Sequence, residues 1–418
     1  MFKRPRGTRD FTPEEMGRRR AVEAAFLRVA RRFGYGEVAT PTFEHAKLFI
    51  TKSGPGIVDE LYVFQDKGGR ELALRPELTA PVVRFYLSEL QSRPKPLKVF
   101  YLGTCYRYDE PQFGRYREFD QFGVEILGGT LLQTDAEVIA TAVEAVRETG
   151  LTGFQVHVGH IGLIRGLLDV DEDRKARILH ALDKRRLDEL SEELDAAGLG
   201  DLRENLLALV DLRGGPEVLA QAQEEVGDQE GLRYLRDLGD LLERYGVGEV
   251  LFDLGIVRGL DYYTGAVFEL RYKPLGAASQ ICGGGSYALT ELFGGEPLPT
   301  TGFGMGFDRV LLALEKAAVE LPEAQLDVYV FPVGDHMRDA SYDVLHRVRA
   351  AGLSADMDLT GRGPSKNLDH ASGLGARKAV LVGEREWKAG KVGVKDLRTG
   401  EQTDVPLDEL DSALGAGE

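Results

Sequence analysis

Cysteine and clustered histidine are scarce in this chain of 418 residues. Its two cysteines, Cys105 and Cys282, cannot form a disulfide framework and lack the spacing of a zinc site. Seven histidines are present, but even the closest pair, His157 and His160, belongs to no cluster with metal-ligand spacing. We therefore expect no zinc site. We also expect no organic cofactor.

Long apolar runs and an excess of positive charge are also missing. No stretch of about 18 uncharged apolar residues occurs, so we expect no membrane span. The basic N-terminus is not followed by the apolar core of a signal peptide, which favours a cytoplasmic protein. The net charge of −16 argues against indiscriminate nucleic-acid binding, because phosphate backbones favour clustered positive charge. A nucleic-acid partner bound by local basic patches is still compatible with this charge.

The N-terminal part has the pattern of an α+β domain. Residues 12–15, Thr-Pro-Glu-Glu, form a capping box and predict a helix that ends at Gly34. Strand patterns separated by turns follow between residues 61 and 127, with one helix at about 80–90. Sequential strands of this kind favour an antiparallel sheet.

Residues 169–245 differ from their surroundings, because they are charged, helical and free of strand patterns. This is typical of a helical insertion. Strands resume at Val250, so the sheet on both sides of the insertion is expected to belong to one core. We predict a central antiparallel sheet flanked by helices, within a domain that covers residues 1–320.

The last part of the chain, residues 326–418, has a β-α-β pattern after a linker at 317–325. It predicts a small α/β domain with a mostly parallel sheet. The predicted elements are strands at 328–333, 353–359 and 379–382, an edge strand at 392–397, and helices at 336–351 and 365–374.

The most informative segment is 258–263, Arg-Gly-Leu-Asp-Tyr-Tyr. It places one cation and two phenols within six residues, between glycines at 255 and 265. Arginine and tyrosine hydroxyls suit a site that holds an anion and a polar ring together. Taken alone, the segment fits equally well a surface arginine beside two half-buried tyrosines.

Two further clusters combine charges with turns. Glu77 lies at a strand-to-helix junction, where it could receive a substrate ammonium, although helix N-termini favour glutamate in any case. Arg107 and Arg115 flank a hairpin loop that could aim both at one polyphosphate, or they could pair with neighbouring acids. Gln121 and Glu125, four residues apart on the next strand, point to the same face.

Glycines mark two more segments. Residues 282–287 contain three consecutive glycines, which would let backbone approach a ligand closely or allow a tight bend. Residues 302–306 have glycine at alternate positions and lead to Arg309. Alternate glycines leave one face of a strand bare, so a flat base could lie there beside Arg309.

Taken in order, these clusters resemble the three motifs of the class II aminoacyl-tRNA synthetases, and specifically those of the histidyl-tRNA synthetase family. Pro41 is similar to the motif 1 proline at the family's dimer interface, Arg107 to the motif 2 arginine and Arg309 to the motif 3 arginine. Residues 258–263 and 283–287 resemble the two histidine-specific motifs. The C-terminal domain resembles anticodon-binding modules.

The resemblance implies a histidine–tRNA ligase that forms histidyl-adenylate from L-histidine and ATP with Mg²⁺ and transfers histidine to the 3′ end of tRNA(His). It also implies a homodimer through the motif 1 region. The implied residues are Glu77, Thr79 and Gln121 for the α-amino group; Glu125, Tyr263 and Tyr287 for the imidazole, with Tyr262 also binding histidine; Arg107, Arg115 and Arg309 for ATP; and Arg258 as the catalytic cation at the carboxylate and α-phosphate.

Three positions depart from the bacterial-type pattern. Glu110 stands where arginine is usual, and Ser286 and Ala288 stand where arginine and aspartate are usual. An alternative is the regulatory subunit of ATP phosphoribosyltransferase, which resembles the same catalytic domain and senses histidine. Arg258 and the C-terminal domain favour the enzyme. A synthetase for another amino acid would leave residues 258–263 unexplained.

Overall fold

The computed structural model of the protein describes residues 2–110, 114–183, 185–256, 263–322 and 326–415. They form two compact units that divide between Leu321 and Pro322. Among the described helices, none is both long enough and apolar enough to cross a membrane.

The first unit begins with helix α1 (Pro13–Arg32) at the predicted capping box. Thr12 Oγ1 accepts a hydrogen bond from the Glu15 amide at 3.3 Å, and Glu15 Oε2 accepts one from the Thr12 amide at 2.7 Å. This reciprocal pair satisfies two of the amides that a helix start leaves free. The other helices of the unit are α2 (Ala46–Ser53), α3 (Thr79–Phe85), α4 (Leu131–Glu148), α5 (Ile161–Leu167), α6 (Glu172–Asp183), α7 (Leu187–Ala196), α8 (Leu202–Asp211), α9 (Glu217–Val226), α10 (Glu230–Arg244), α11 (Leu289–Leu292) and α12 (Phe307–Lys316).

The described residues of this unit contain twelve strands. They are β1 (Gly36–Glu37), β2 (Phe43–His45), β3 (Val63–Gln65), β4 (Glu71–Leu74), β5 (Leu97–Tyr106), β6 (Glu118–Leu127), β7 (Gln155–His160), β8 (Arg213–Gly214), β9 (Val250–Asp253), β10 (Tyr263–Arg271), β11 (Gln280–Tyr287) and β12 (Thr300–Gly306). Nine of them form one sheet in the order β1-β5-β6-β12-β11-β10-β7-β9-β8, and three form a small antiparallel sheet in the order β2-β4-β3.

The large sheet is mixed, with an antiparallel centre. Its central run from β5 to β7 is antiparallel throughout. Two parallel pairs, β1 with β5 and β7 with β9, lie towards its ends. The predicted antiparallel sheet therefore describes the centre and not the whole.

The two faces of the large sheet have different roles. Alternate residues of a strand point to opposite faces. Phe122 on β6 is fully buried and stacks on Phe26 of α1, with ring centroids 4.7 Å apart. Gln121 and Glu125 of the same strand therefore point to the other face, which carries the site.

The second unit has its own sheet, in the order β14-β13-β15-β16-β17. Strands β14, β13 and β15 are parallel, as predicted, but β16 and β17 are added antiparallel, so the sheet is mixed rather than mostly parallel. The strands are β13 (Val328–Pro332), β14 (Ala355–Met357), β15 (Lys378–Val382), β16 (Lys391–Asp396) and β17 (Gln402–Pro406); the helices are α13 (Arg338–Ala350), α14 (Pro364–Gly373), α15 (Glu384–Lys388) and α16 (Leu410–Leu414).

Candidate active site

A cleft of about 640 Å³ lies on the face of the large sheet to which Gln121 points. Two of the predicted site residues, Arg258 and Tyr262, lie outside the described residues. Eight others line this single cleft, namely Glu77, Thr79, Arg107, Arg115, Gln121, Tyr263, Tyr287 and Arg309. Side chains from distant parts of the sequence therefore converge on one hollow.

The floor of the cleft contains a row of glycines. Gly123 of β6 is opposite Gly304 of β12, which is opposite Gly283 of β11. A Cβ atom at Gly304 would lie 2.2 Å from Gln121 Nε2, and one at Gly302 would lie 1.7 Å from Glu125 Oε2. The alternate glycines of β12 thus give room to these two side chains. At Gly306, by contrast, the side chain nearest to an added Cβ atom is that of Arg309, at 3.5 Å.

Glu125 is fully buried and lies between two phenols. Tyr287 donates to its Oε2 atom, and Tyr101 donates to its Oε1 atom at 3.0 Å. Burial raises the pKa of Glu125 to about 8, against the opposing effect of these hydrogen bonds. The cleft-lining Tyr287 therefore connects the cleft to a buried carboxyl group that changes charge near neutral pH.

Glu77, unlike Glu125, lies next to a positive charge. Lys52 Nζ is 2.9 Å from Glu77 Oε2, and both side chains are largely buried. The amides of Thr79 and Ala80, at the start of α3, also donate to this carboxylate. Burial alone would raise the pKa of Glu77, but the charge and hydrogen bond of Lys52, together with the two amides, lower it below its ordinary value. Glu77 is thus a fixed anion at the start of a helix.

Gln121 is held beside the same helix start. Its Oε1 atom accepts a hydrogen bond from the Leu78 amide at 3.2 Å. Thr79 Oγ1 lies 3.4 Å from the Tyr101 hydroxyl. Glu77, Thr79 and Gln121 therefore bring a carboxylate, a hydroxyl and an amide to one part of the cleft, which suits recognition of an ammonium group.

The cationic part of the cleft consists of three arginines. Arg309 donates to Gln280 O at 2.8 Å, and Arg107 donates to Pro76 O at 3.0 Å, so both guanidinium groups are oriented by backbone. Burial lowers the pKa of Arg309, and the nearby positive charges of Arg115 and Arg107 lower it further. The three positive charges repel one another, so binding of a polyanion between them would be favourable.

The segment before α1 is attached to this cationic part. Gly7 O accepts a hydrogen bond from the Arg117 amide at 2.9 Å. The Arg9 guanidinium lies 3.7 Å from the centroid of the Tyr116 ring and pairs with Asp308, which precedes Arg309 and lines the cleft. The segment therefore holds both the β5–β6 loop and the start of α12.

Two other buried acids of the cleft, Glu269 and Asp308, are paired with arginines. Arg271 pairs with Glu269 at 2.5 Å, and Arg19 joins Arg9 at Asp308, at 2.6 Å. Within the described residues, no three His, Cys, Asp or Glu side chains come together as a metal-binding set.

Comparison with known families agrees with this geometry. The family model described as histidyl-tRNA synthetase matches residues 7–310. The chain belongs to the histidyl-tRNA synthetase family. A second model, described as anticodon binding domain, matches residues 327–416, which lie in the second unit.

Individual relatives support the same family. The histidine–tRNA ligase of Archaeoglobus fulgidus is 45% identical over 415 residues, which is 99% of each chain. The crystal structure of apo Staphylococcus aureus histidyl-tRNA synthetase is 29% identical, with a TM-score of 0.74, and covers 99% of this chain and 100% of its own. A Bacillus halodurans structure described as an ATP phosphoribosyltransferase regulatory subunit/histidyl-tRNA synthetase is 28% identical, with a TM-score of 0.77, over 92% of this chain and 98% of its own.

Two departures from the bacterial-type family pattern have structural partners. Ser286 is 1% exposed, and its hydroxyl donates to Asp135 of α4 at 2.6 Å, so it points away from the cleft. Glu110 is exposed and pairs with Arg6 at 3.0 Å. Glutamate at this position therefore joins the β5–β6 loop to the N-terminal segment.

Sequence reasoning missed Lys52 and Tyr101. Lys52 comes from α2, a helix with no motif resemblance, and its partner Glu77 is 25 positions away in the sequence. Tyr101 lies within a strand whose apolar pattern predicts ordinary core packing. The register of β5 with β6, which sets Tyr101 opposite Gly123, could have identified it.

Proposed function

We propose that this chain is an ATP-dependent histidine–tRNA ligase, which activates L-histidine as histidyl-adenylate and transfers histidine to the 3′ end of tRNA(His). Membership of the histidyl-tRNA synthetase family and curated relatives named histidine–tRNA ligase over nearly the whole chain support it. The observation that carries the proposal is one cleft lined by both Tyr287 and Arg309. Tyr287 pairs with Thr300, the first residue of β12, and Arg309 lies three residues after Gly306, the last residue of β12. The proposed amino-acid site and polyphosphate site thus lie towards opposite ends of β12.

Histidine is bound through its two polar ends. Glu77, Thr79 and Gln121 receive the α-amino group, because they place a carboxylate and two further oxygen acceptors together. The imidazole is held by Tyr263, Tyr287 and Glu125, with Tyr262 as a further histidine-binding residue. A pocket built to hydrogen-bond a polar ring leaves its buried groups unpaired with an apolar side chain, so it rejects such analogues by factors of roughly 10⁴ or more.

ATP is bound by arginines. Arg107 and Arg309 hold the nucleotide and its α-phosphate region, and Arg115, whose side chain is half exposed, reaches the distal phosphates. Arg258 is the proposed catalytic cation at the reacting carboxylate and α-phosphate. Mg²⁺ bound with ATP supplies further charge neutralisation on the phosphates.

Two transfer steps follow from this arrangement. A carboxylate oxygen of histidine attacks the α-phosphorus of ATP, and the bond to the β-phosphate oxygen breaks, releasing pyrophosphate. A hydroxyl of the terminal tRNA ribose then attacks the acyl carbon and displaces AMP. The arginines act by positioning the reactants and stabilising developing negative charge.

The two parts of the chain divide this work. Residues 1–320 form the catalytic domain, and residues 326–418 bind the anticodon of tRNA(His). The match of the second unit to an anticodon binding domain supports this assignment. Residues 169–245 are a largely helical insertion, although they were predicted to be free of strands and contain β8, which pairs with β9 of the large sheet. Because tRNA is charged in the cytoplasm, we place the protein there.

The proposal includes a homodimer formed through the motif 1 region, next to Pro41. Phe43 of β2 and Phe64 of β3 are 52% and 41% exposed, and their rings are in edge contact, with centroids 6.2 Å apart. Val63 adds a further exposed apolar side chain beside them. A contiguous apolar patch on a small sheet supports an interface with a second copy.

Pyrophosphate exchange tests the activity directly. Histidine-dependent exchange of labelled pyrophosphate into ATP should be measurable and should be at least 10³-fold slower with the other amino acids. Arg309→Gln should lower kcat/KM by roughly 10²-fold, the loss typical of a charge-stabilising group, whereas Arg385→Gln, an exposed change in the second unit, should leave it unchanged. Folded protein without exchange would contradict the proposal.

A histidine-sensing regulatory subunit of ATP phosphoribosyltransferase is the second candidate. The similarity to the Bacillus halodurans structure, whose description carries both names, favours considering it. Such a protein would bind histidine in a calorimetric titration but would catalyse no exchange. Exchange together with charging of tRNA(His) would exclude it.

A further inference from the structure

Tyr101 occupies a position in the site that the roles given above leave unassigned. It lies on β5, is 2% exposed and is remote from bulk solvent. Its hydroxyl is 3.0 Å from Glu125 Oε1, 3.4 Å from Thr79 Oγ1 and 3.4 Å from Phe303 O. One hydroxyl therefore contacts both the proposed imidazole site and the proposed amino-group site.

The sheet is built to admit this side chain. Tyr101 is directly opposite Gly123 on β6. A Cβ atom at Gly123 would lie 2.4 Å from the Tyr101 hydroxyl oxygen, a separation that side-chain atoms do not tolerate. The absence of a side chain at position 123 lets the phenol cross β6 and reach β12. Tyr101 and Gly123 thus form a matched pair.

When Glu125 is ionised, both of its oxygens are acceptors only, and the direction of the hydrogen bonds follows from proton counting. A phenol has one proton to donate and can accept further hydrogen bonds. Burial and the nearby Glu125 raise the pKa of Tyr101 well above its ordinary value, so the phenol keeps its proton. The shortest contact of the hydroxyl is with Glu125 Oε1, which accepts the hydrogen bond that Tyr101 donates. The Thr79 hydroxyl is then the donor to Tyr101.

We propose that Tyr101 is a positioning residue for histidine selection, which fixes the Glu125 carboxyl group so that Tyr287 and the imidazole meet it in one orientation. Each of the two Glu125 carboxyl oxygens accepts a hydrogen bond from one tyrosine hydroxyl. Without Tyr101, the carboxyl could rotate about its last side-chain bond, whose torsion is soft. The contact with Thr79 ties the same hydroxyl to the amino-group site. This inference rests on the proposed function.

The test is Tyr101→Phe, which removes one oxygen and keeps the ring. We expect the KM for histidine in pyrophosphate exchange to rise roughly tenfold, the effect of one hydrogen bond to a buried charged or polar group. The KM for ATP should stay within twofold. The matched control is Tyr35→Phe, because Tyr35 is also buried and its hydroxyl meets Thr141 behind the sheet; it should leave both KM values unchanged.

A double-mutant cycle with Glu125→Ala, which removes both acceptor oxygens, separates positioning from a general loss of stability. If Tyr101 acts through Glu125, adding Tyr101→Phe to Glu125→Ala should change histidine affinity by less than about twofold. Equal tenfold effects in both backgrounds would overturn the proposal, as would a parallel rise in both KM values. Titration calorimetry with histidine gives the same readout without catalysis. Loss of histidine affinity in Tyr101→Phe, in a chain without exchange activity, would support the role of Tyr101 while contradicting the ligase.

Discussion

At the scale of single residues, Glu77 and Glu125 belong to one site but have pKa values shifted in opposite directions. Lys52 and two amides outweigh burial at Glu77 and lower its pKa. No cation offsets the effect of burial at Glu125, and its pKa is raised to about 8. The two carboxyl groups therefore differ in charge over the neutral pH range, which suits the separate roles proposed for them.

The raised pKa of Glu125 gives a stability prediction. The unfolded carboxyl titrates near about 4.3 and the folded one near 8, so between these values the folded state holds a proton that the unfolded state has lost. Stability therefore falls as the pH rises through this window. Glu125→Gln lacks this effect, so its free energy of unfolding should gain roughly 3 kcal/mol relative to wild type between pH 5.5 and 8.5.

Urea denaturation at several pH values measures this difference. Glu224→Gln, an exposed change on α9, is the control and should show a difference from wild type that does not vary over the same range. A flat difference for Glu125→Gln would mean that the carboxyl is ionised in the folded protein throughout. The pH window distinguishes this effect from a simple loss of hydrogen bonds.

A site residue could be predicted from the sequence where its role depends on residues nearby in the chain. It could not be predicted where its role depends on residues that only the fold brings close. Gln121 and Glu125 were predicted to share a face because strand alternation is a local rule. The role of Tyr101 depends on its register with Gly123 across two strands, which local pattern does not encode. The glycines of β12 were noticed, but the side chains that fill the space above them come from β6.

At the scale of elements, the segment before α1 links the cationic part of the cleft to the rest of the unit. Arg9 lies over Tyr116 and pairs with Asp308, while Gly7 binds the backbone of Arg117. Arg9 is 26% exposed in its side chain, so its charge is only partly screened. The segment should therefore fix the β5–β6 loop that carries Arg115, the residue proposed to bind the distal phosphates.

We predict that Arg9→Met raises the KM for ATP roughly tenfold and leaves the KM for histidine within twofold, because the variant removes a contact on the nucleotide side alone. Arg4→Met is the matched control, since Arg4 lies in the same segment but is 56% exposed and 3.8 Å from Asp10. Exchange kinetics with varied ATP and varied histidine measure both constants. A rise in the KM for histidine of the same size would indicate general damage to the cleft.

The element predictions failed where the local pattern was atypical. Helix α4 was not predicted: it buries Asp135 and Thr141 together with its apolar residues, so no clean apolar stripe marks it. Residues 392–397 were predicted as an edge strand, but β16 is interior because β17 pairs outside it. Strand β17 is mostly polar and exposed, and such a strand gives little apolar signal.

At the scale of the whole molecule, each compact unit has its own hydrophobic core. Phe26, Phe122 and Val158 belong to the core of the first unit, and Val330, Val348 and Val380 to that of the second. The division into a larger and a smaller domain was predictable, because the chain changes from a helical and antiparallel pattern to β-α-β. The mixed character of both sheets was not, because strand direction depends on connections that residue patterns leave open.

Separate cores lead to a prediction for a chain that ends at Leu326. All residues that line the cleft lie before Leu321, so this variant should fold and exchange pyrophosphate with kcat/KM within about threefold of the full chain. Charging of tRNA(His) should fall by roughly 10²-fold or more, because the tRNA contacts proposed for the second unit would be lost. Aminoacylation and exchange measured on the same preparations give both values, with the full chain as control. Full charging efficiency in the shortened chain would show that the first unit alone selects the tRNA, whereas loss of exchange would show that the second unit supports the fold of the cleft.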